Sequence, residues 1–161
     1  MSDSPTPTVE LFVRSLLPQG AAHRQEAVID RLKRLERDDV IDDCRLVVWG
    51  DRIARESAAA QTSQGQYVLN RVAEFQQWAL GNNVTLDSFY ETREAGSEPG
   101  EEYSTIILPV MGLAEYRHGE LVQLAPSTHG DDVYTIQDHL DRIARGDPAP
   151  AETATEMRRL V

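Results

Sequence analysis

The chain contains 161 residues, of which 40% are hydrophobic, and its 27 acidic and 16 basic side chains give a net charge of −11. This length favours one domain, and the single cysteine excludes a disulfide framework within one chain. The longest apolar stretch, 106–114, is interrupted by Pro109 and Gly112 and is far shorter than the about 20 residues of a membrane helix. We therefore predict no membrane interaction.

Lysine is almost absent, since Lys33 is the one lysine beside 15 arginines. A surface this acidic repels itself in dilute buffer, and concentrated salt relieves the repulsion because the Debye length falls to about 3 Å near 1 M. The composition therefore predicts a protein of an extreme halophile. The polar start, 1–8, lacks the basic and apolar regions of a signal peptide, so we expect a cytoplasmic location.

The N-terminal third predicts a βαβ unit. Residues 1–8 are polar, contain two prolines and are predicted to be disordered. Alternating apolar side chains over 9–16 predict a strand with one buried face. Apolar residues at helical spacing predict a helix over 22–37, and the apolar run 45–49 predicts a strand covered on both faces. A strand, a helix and a strand in this order indicate parallel strands joined by a right-handed crossover.

The middle of the chain predicts one more helix and a strand. A capping signal over 63–66 opens the helix, and Gly81 closes it. The β-branched and aromatic residues of 84–93 predict a strand. Glycine and proline residues over 94–102 predict an exposed loop.

A β-hairpin is predicted next. Residues 103–110 predict a strand, in which Pro109 indicates an edge or a bulge because proline has no amide hydrogen to donate. The strand continues beyond a bulge at Gly112, and the turn 117–120 leads into a returning strand over 121–125.

A third helix closes the predicted fold. Thr135, followed three residues later by Asp138, predicts its N-terminus, and Gly146 predicts its end. The order β-α-β-α-β-β-β-α favours an α+β fold, a two-layer mixed sheet with the βαβ unit at its start and helices mainly on one face. We predict a single domain over 9–146 and a mobile C-terminal tail over 147–161.

Several sequence blocks resemble a group of uncharacterised small acidic haloarchaeal proteins, some of which carry the label helix-turn-helix. The blocks are 9–16, 24–28, 47–52, 101–103 and 108–110. The resemblance implies a haloarchaeal origin, and its label implies a winged helix-turn-helix as the alternative fold. In that alternative, 31–41 forms the end of the recognition helix and 44–49 the wing strand.

The first predicted helix carries the one locally cationic stretch of the chain. Residues 23–37 hold five cations and three carboxylates. The cations are Arg24, Arg31, Lys33, Arg34 and Arg37. This pattern predicts a nucleic-acid or anion contact. The alternative is a solvated helix face on which Asp30 pairs with Arg34.

A second candidate site follows the second predicted strand. Trp49, Asp51 and Arg52 lie where that strand ends, and ligand sites in parallel sheets favour the carboxyl ends of the strands. These side chains therefore predict a small pocket. The alternative is a buried tryptophan beside an Asp–Arg surface pair.

No catalytic motif is present in the sequence. Nucleophile-elbow, phosphate-loop and dinucleotide-binding patterns are missing, and the four histidines and one cysteine lack the spacing of metal ligands. We predict no catalytic residue, metal or cofactor. The favoured function is a non-catalytic regulatory or interaction module, a DNA-associated transcriptional regulator or a binder of a partner protein. The alternative is a ligand-binding domain or small enzyme with its pocket at 49–52, and a homodimer through an open sheet edge is a further prediction.

Overall fold

The computed structural model describes residues 6–16, 22–54, 57–95 and 103–150. Most of the predicted disordered start, of the predicted loop over 94–102 and of the predicted mobile tail lies outside the described residues. The elements in chain order are β1 (Thr8–Val13), α1 (Ala22–Arg37), β2 (Asp43–Val48), β3 (Arg52–Ala54), α2 (Ser63–Gly81), β4 (Val84–Thr85), β5 (Glu91–Ala95), β6 (Tyr103–Ile107), β7 (Met111–Arg117), β8 (Glu120–Ala125), β9 (Ser127–His129), β10 (Asp132–Tyr134) and α3 (Ile136–Arg145).

The predicted βαβ unit is confirmed. β1 and β2 pair in parallel, from Thr8 opposite Asp43 to Val13 opposite Val48. The helix between them has the predicted bounds because its apolar residues keep a 3.6-residue period throughout. β7 pairs with the other side of β1, and β8 follows, so the four-stranded sheet has the order β2-β1-β7-β8.

Helices cover both faces of this sheet, α1 and α3 on one and α2 on the other, so the predicted two-layer arrangement is wrong. Successive side chains of a strand point to opposite faces, and Leu11 packs with Leu32 of α1 and Leu140 of α3. Phe12 packs instead with Phe75 of α2. The result is a three-layer mixed α+β fold, because both sides of β1 are apolar and each must be buried.

Two three-stranded sheets, β3-β6-β5 and β10-β9-β4, flank the main sheet. The predicted strand over 84–93 is divided by a turn in which the amides of Phe89 and Tyr90 donate to the carbonyl oxygen of Leu86. β6 ends at Ile107, two residues before Pro109. The strands β3, β9 and β10 were not predicted, since three residues are too few to show a period.

Capping residues fix the ends of α2 and α3. The N-cap of α2 is Thr62, whose hydroxyl accepts from the Gly65 amide, rather than the predicted Ser63. Thr135 and Asp138 form the predicted capping box of α3, and Gly146 ends that helix in the left-handed conformation with φ of 72°. No helix in the described part of the chain combines the length and the apolar character needed to span a membrane.

Candidate nucleic-acid interface

The outer surface of α1 carries a compact group of cations. Val28, Leu32 and Leu35 of this helix are buried against the sheet. Their helical spacing leaves Lys33, Arg34 and Arg37 exposed to solvent, where they line a shallow depression of about 520 Å³ together with Asp30 and Glu36. We call the three exposed side chains the α1 cation group.

The α1 cation group and Arg24 are distinguished by having no polar partner among the residues that the structure describes. Within the described residues, none of these four side chains makes a hydrogen bond or ion pair, and the Asp30–Arg34 pair of the alternative interpretation does not form. Every other described cation contacts a carboxylate or a carbonyl oxygen; these are Arg14, Arg31, Arg45, Arg52, Arg71, Arg93, Arg117, Arg142 and Arg145. Among the residues that the structure describes, the cations available to a phosphate are therefore concentrated on one helix.

Arg31 and Arg24 lie apart from that group. Arg31 donates to the Asp141 carboxylate at 2.5 Å and to the Gln137 side-chain oxygen at 3.3 Å, and both partners belong to α3. Arg24 lines a groove between the first half of α1 and the start of α3. The five predicted cations therefore lie at three places on α1. Three form the α1 cation group, Arg31 contacts α3, and Arg24 lines the groove.

The second predicted site is divided between the core and the surface. Trp49 is buried among Phe12 and Tyr90, with ring centroids 4.9 Å and 5.9 Å away. Asp51 and Arg52 are exposed, and their side chains approach to 3.5 Å. This arrangement matches the alternative given above, a buried tryptophan beside an Asp–Arg surface pair. The pocket at these residues stays a prediction.

A buried ionic group joins α3 to the centre of the main sheet. Glu115 of β7 is fully buried, and its Oε1 accepts from the Arg142 guanidinium and from His139 Nε2, the latter at 3.0 Å. Burial raises the pKa of Glu115, but the hydrogen bond and charge of His139 and the charge of Arg142 outweigh it and hold that pKa at about 2. Burial lowers the pKa of His139, and its hydrogen bond to Glu115 opposes that shift.

A second buried carboxylate joins α2 to the other face. Glu10 of β1 accepts from Arg71 at 3.0 Å and from the Tyr67 hydroxyl. The Arg71 guanidinium lies 4.5 Å from the ring centroid of Tyr116, a cation–π contact. Arginine side chains of α3 and α2 therefore neutralise the two buried carboxylates. These ion pairs hold the two helices against the sheet.

Chemistry at the lone cysteine is disfavoured. Burial raises the pKa of the Cys44 thiol to about 11, and the carboxylates of Glu36 and Asp43 add to the effect. The reactive thiolate is therefore scarce at neutral pH. Among the described residues, no three side chains of the types that hold metal ions come together.

A turn follows the end of α3, where the sequence predicted only the end of a helix. After Gly146 the Asp147 amide donates to the Arg142 carbonyl at 3.2 Å, Ala149 is buried, and Pro150 is again in helical conformation. Over the described ranges, this is the one place where an α-helix is followed across a short turn by a helical residue.

Comparison with known protein families gives one match. Residues 1–148 match a family described as a helix-turn-helix domain. No curated protein and no solved structure matches the chain. Since the match covers most of the chain, the protein belongs to the helix-turn-helix domain family.

Proposed function

We propose that the protein is a non-catalytic, DNA-associated transcriptional regulator, working in the salt-rich cytoplasm of a haloarchaeon. Membership in a helix-turn-helix family supports the DNA association. The observation that carries the proposal is the α1 cation group, because these side chains have no hydrogen-bond or ion-pair partner among the described residues of a chain whose net charge is −11. Solvent-exposed cations that are not neutralised within the protein are the groups that displace counterions from DNA.

In this proposal, α1 supplies phosphate contacts and the α3 region supplies the rest of the interface. Phosphate contacts set the position of a protein on the duplex, whereas base contacts determine sequence preference. The Arg31–Asp141 ion pair holds α1 against α3, so a phosphate bound at α1 would fix the position of the turn that follows α3. Molar salt weakens phosphate contacts, so we expect base contacts and packing to supply much of the affinity.

The test is a fluorescence-anisotropy titration with duplex DNA taken from the region upstream of the protein's own coding sequence. A triple variant, Lys33→Gln, Arg34→Gln and Arg37→Gln, removes the α1 cation group. The titration is repeated over a series of KCl concentrations. We expect weaker binding and a salt dependence whose logarithmic slope is shallower by roughly 0.9 for each lost phosphate contact.

A matched control removes the same charge elsewhere. Arg45, Arg52 and Arg93 are exposed and already paired with carboxylates, so their replacement by glutamine leaves the α1 cation group intact. We expect this variant to keep the wild-type slope. Equal loss in both triple variants, or no binding by the wild type, would reject α1 as the DNA contact.

The predicted homodimer remains a proposal of the same kind. β2 lies at one edge of the main sheet, and its Leu46 is exposed. An unpaired strand edge can accept a strand of a second copy. Light scattering in molar KCl, with Leu46→Lys as the variant, distinguishes a dimer formed through this edge from a monomer.

A further inference from the structure

A groove between α1 and α3 has the lining of a small-molecule site. Its volume is about 340 Å³, which lies in the range of ligand pockets in proteins. Its walls come from α1, α3, the start of β7, β10 and the connections that carry Phe89, Val110, Pro126 and Thr135. The apolar side chains that form them include Val28, Phe89, Met111, Pro126, Val133 and Ile136.

The apolar surface of this groove is incompletely covered. Val110 and Val133 line it and are 47% and 53% exposed. They are two of the five large hydrophobic side chains that the described residues expose. Exposed apolar side chains gathered in one concavity mark a binding surface more often than single scattered ones.

The polar groups at the rim are hydrogen-bond donors. Arg24 offers a guanidinium that has no partner among the described residues. The Gln137 side-chain oxygen accepts from Arg31, which leaves the Gln137 amide nitrogen as the free donor. The hydroxyl of Thr135, the third polar residue of the lining, accepts from the Asp138 amide.

We propose that this groove binds a small organic carboxylate with an apolar body. The apolar body replaces water along Val110, Val133 and the groove floor, and the carboxylate accepts from Arg24 and Gln137. A planar carboxylate matches the fork of guanidinium donors, and charge-assisted bonds of this kind are stronger than neutral ones. A duplex phosphate is a poorer match, since it brings no apolar group to cover the exposed valines.

The position of the groove makes this ligand an effector of the α1–α3 junction. Arg24 and Val28 come from α1, whereas Thr135, Ile136 and Gln137 come from α3. The ligand contacts the same Gln137 side chain that Arg31 holds. Occupation therefore stabilises one arrangement of the two helices, and this goes beyond the proposed DNA function, because the binding itself requires no DNA.

The experiment is calorimetric titration of the full chain with two probes, naphthalene-1-acetate and its uncharged amide, at one fixed KCl concentration. We expect the acid to bind about tenfold more tightly than the amide. Arg24→Gln should abolish this difference and leave the affinity for the amide unchanged. Val133→Glu should weaken binding of both probes, since it places a charge on the apolar wall.

Leu80→Glu is the control, because Leu80 is 83% exposed and lies on α2. We expect it to bind both probes as the wild type does. Equal affinity of the wild type for acid and amide would overturn the proposal, as would binding that neither Arg24→Gln nor Val133→Glu changes. A dimer that Val133→Glu dissociates, without saturable binding of the acid, would assign the groove to a second copy and also overturn it. Absence of DNA binding leaves these titrations unaffected, so the two proposals fail separately.

Discussion

Replacement of Gly112 by alanine tests the packing on which the central sheet depends. Gly112 lies in β7 opposite Phe12 of β1. An added Cβ would lie 2.9 Å from Trp49 Cη2 and 3.4 Å from the Tyr90 hydroxyl oxygen. Carbon atoms pack best at about 3.5–4.0 Å, so the indole must move. It has little freedom, because the Phe12 ring lies 4.9 Å from it, centroid to centroid. Overpacking of this kind costs about 1–3 kcal/mol, and we expect about 2 kcal/mol.

Urea unfolding followed by tryptophan fluorescence in molar KCl measures this cost. The expected loss corresponds to a melting temperature lower by about 4–8 °C in a chain of this size. Gly81→Ala is the matched control, since a Cβ there meets nothing within 4 Å. Alanine has a higher helix propensity than glycine, so this variant should be more stable than the wild type by up to about 1 kcal/mol. The same substitution should therefore lower the free energy of unfolding at Gly112 and raise it at Gly81.

A double-mutant cycle identifies the clash. Trp49→Phe removes the atom that the new Cβ would meet, so Gly112→Ala should cost less in that background. Additive losses would show that the cost does not arise at Trp49. A Gly112→Ala variant as stable as the wild type would refute the packing argument.

Three further predictions concern stability. Glu115→Gln should cost about 3 kcal/mol at neutral pH, since the pKa of Glu115 falls from 4.5 to about 2 on folding. This contribution is complete above pH 4.5 and is lost as the pH falls toward 2, so unfolding titrations of variant and wild type should converge in that window. Thr135→Ala should cost about 1 kcal/mol by removing the capping box, and Thr92→Ala, on exposed β5, should cost little in the same assay. The melting temperature should fall as KCl is lowered from molar to millimolar, because salt screens the repulsion of −11 charges; an unchanged value would oppose the halophile proposal.

The sequence predicted the elements that have a long, regular pattern. α1 and α3 have the expected bounds because their apolar residues repeat over two turns or more and their ends carry capping residues or a change of pattern. The parallel pairing of β1 with β2 followed from the crossover helix. What the pattern could not show is which face of the sheet α2 covers. That choice depends on residues distant in the chain, such as Phe12 and Phe75, whose contact no local period reveals.

The candidate site was predictable in part for a similar reason. The cations of α1 are adjacent in sequence, so their clustering was visible. Their separation into partnered and unpartnered groups was not, because Arg31 pairs with Asp141, 110 residues away. The groove beside Arg24 also draws its walls from segments scattered along the chain. The sequence predicted the turn after α3 only as a helix end, because Gly146 and Pro148 both indicate that a helix stops there.

Arg142 links the buried core of the protein to the turn that follows α3. Its guanidinium contacts buried Glu115 and also donates to the Asp147 carbonyl oxygen at 2.7 Å, inside the turn. A third bond runs from Arg142 to the Tyr134 hydroxyl at 2.9 Å. The Asp147 carbonyl in the turn is thus connected, through Arg142, to the carboxylate of Glu115, which solvent does not reach. A substitution in the core, without any change on the surface, is therefore expected to shift the turn that follows α3.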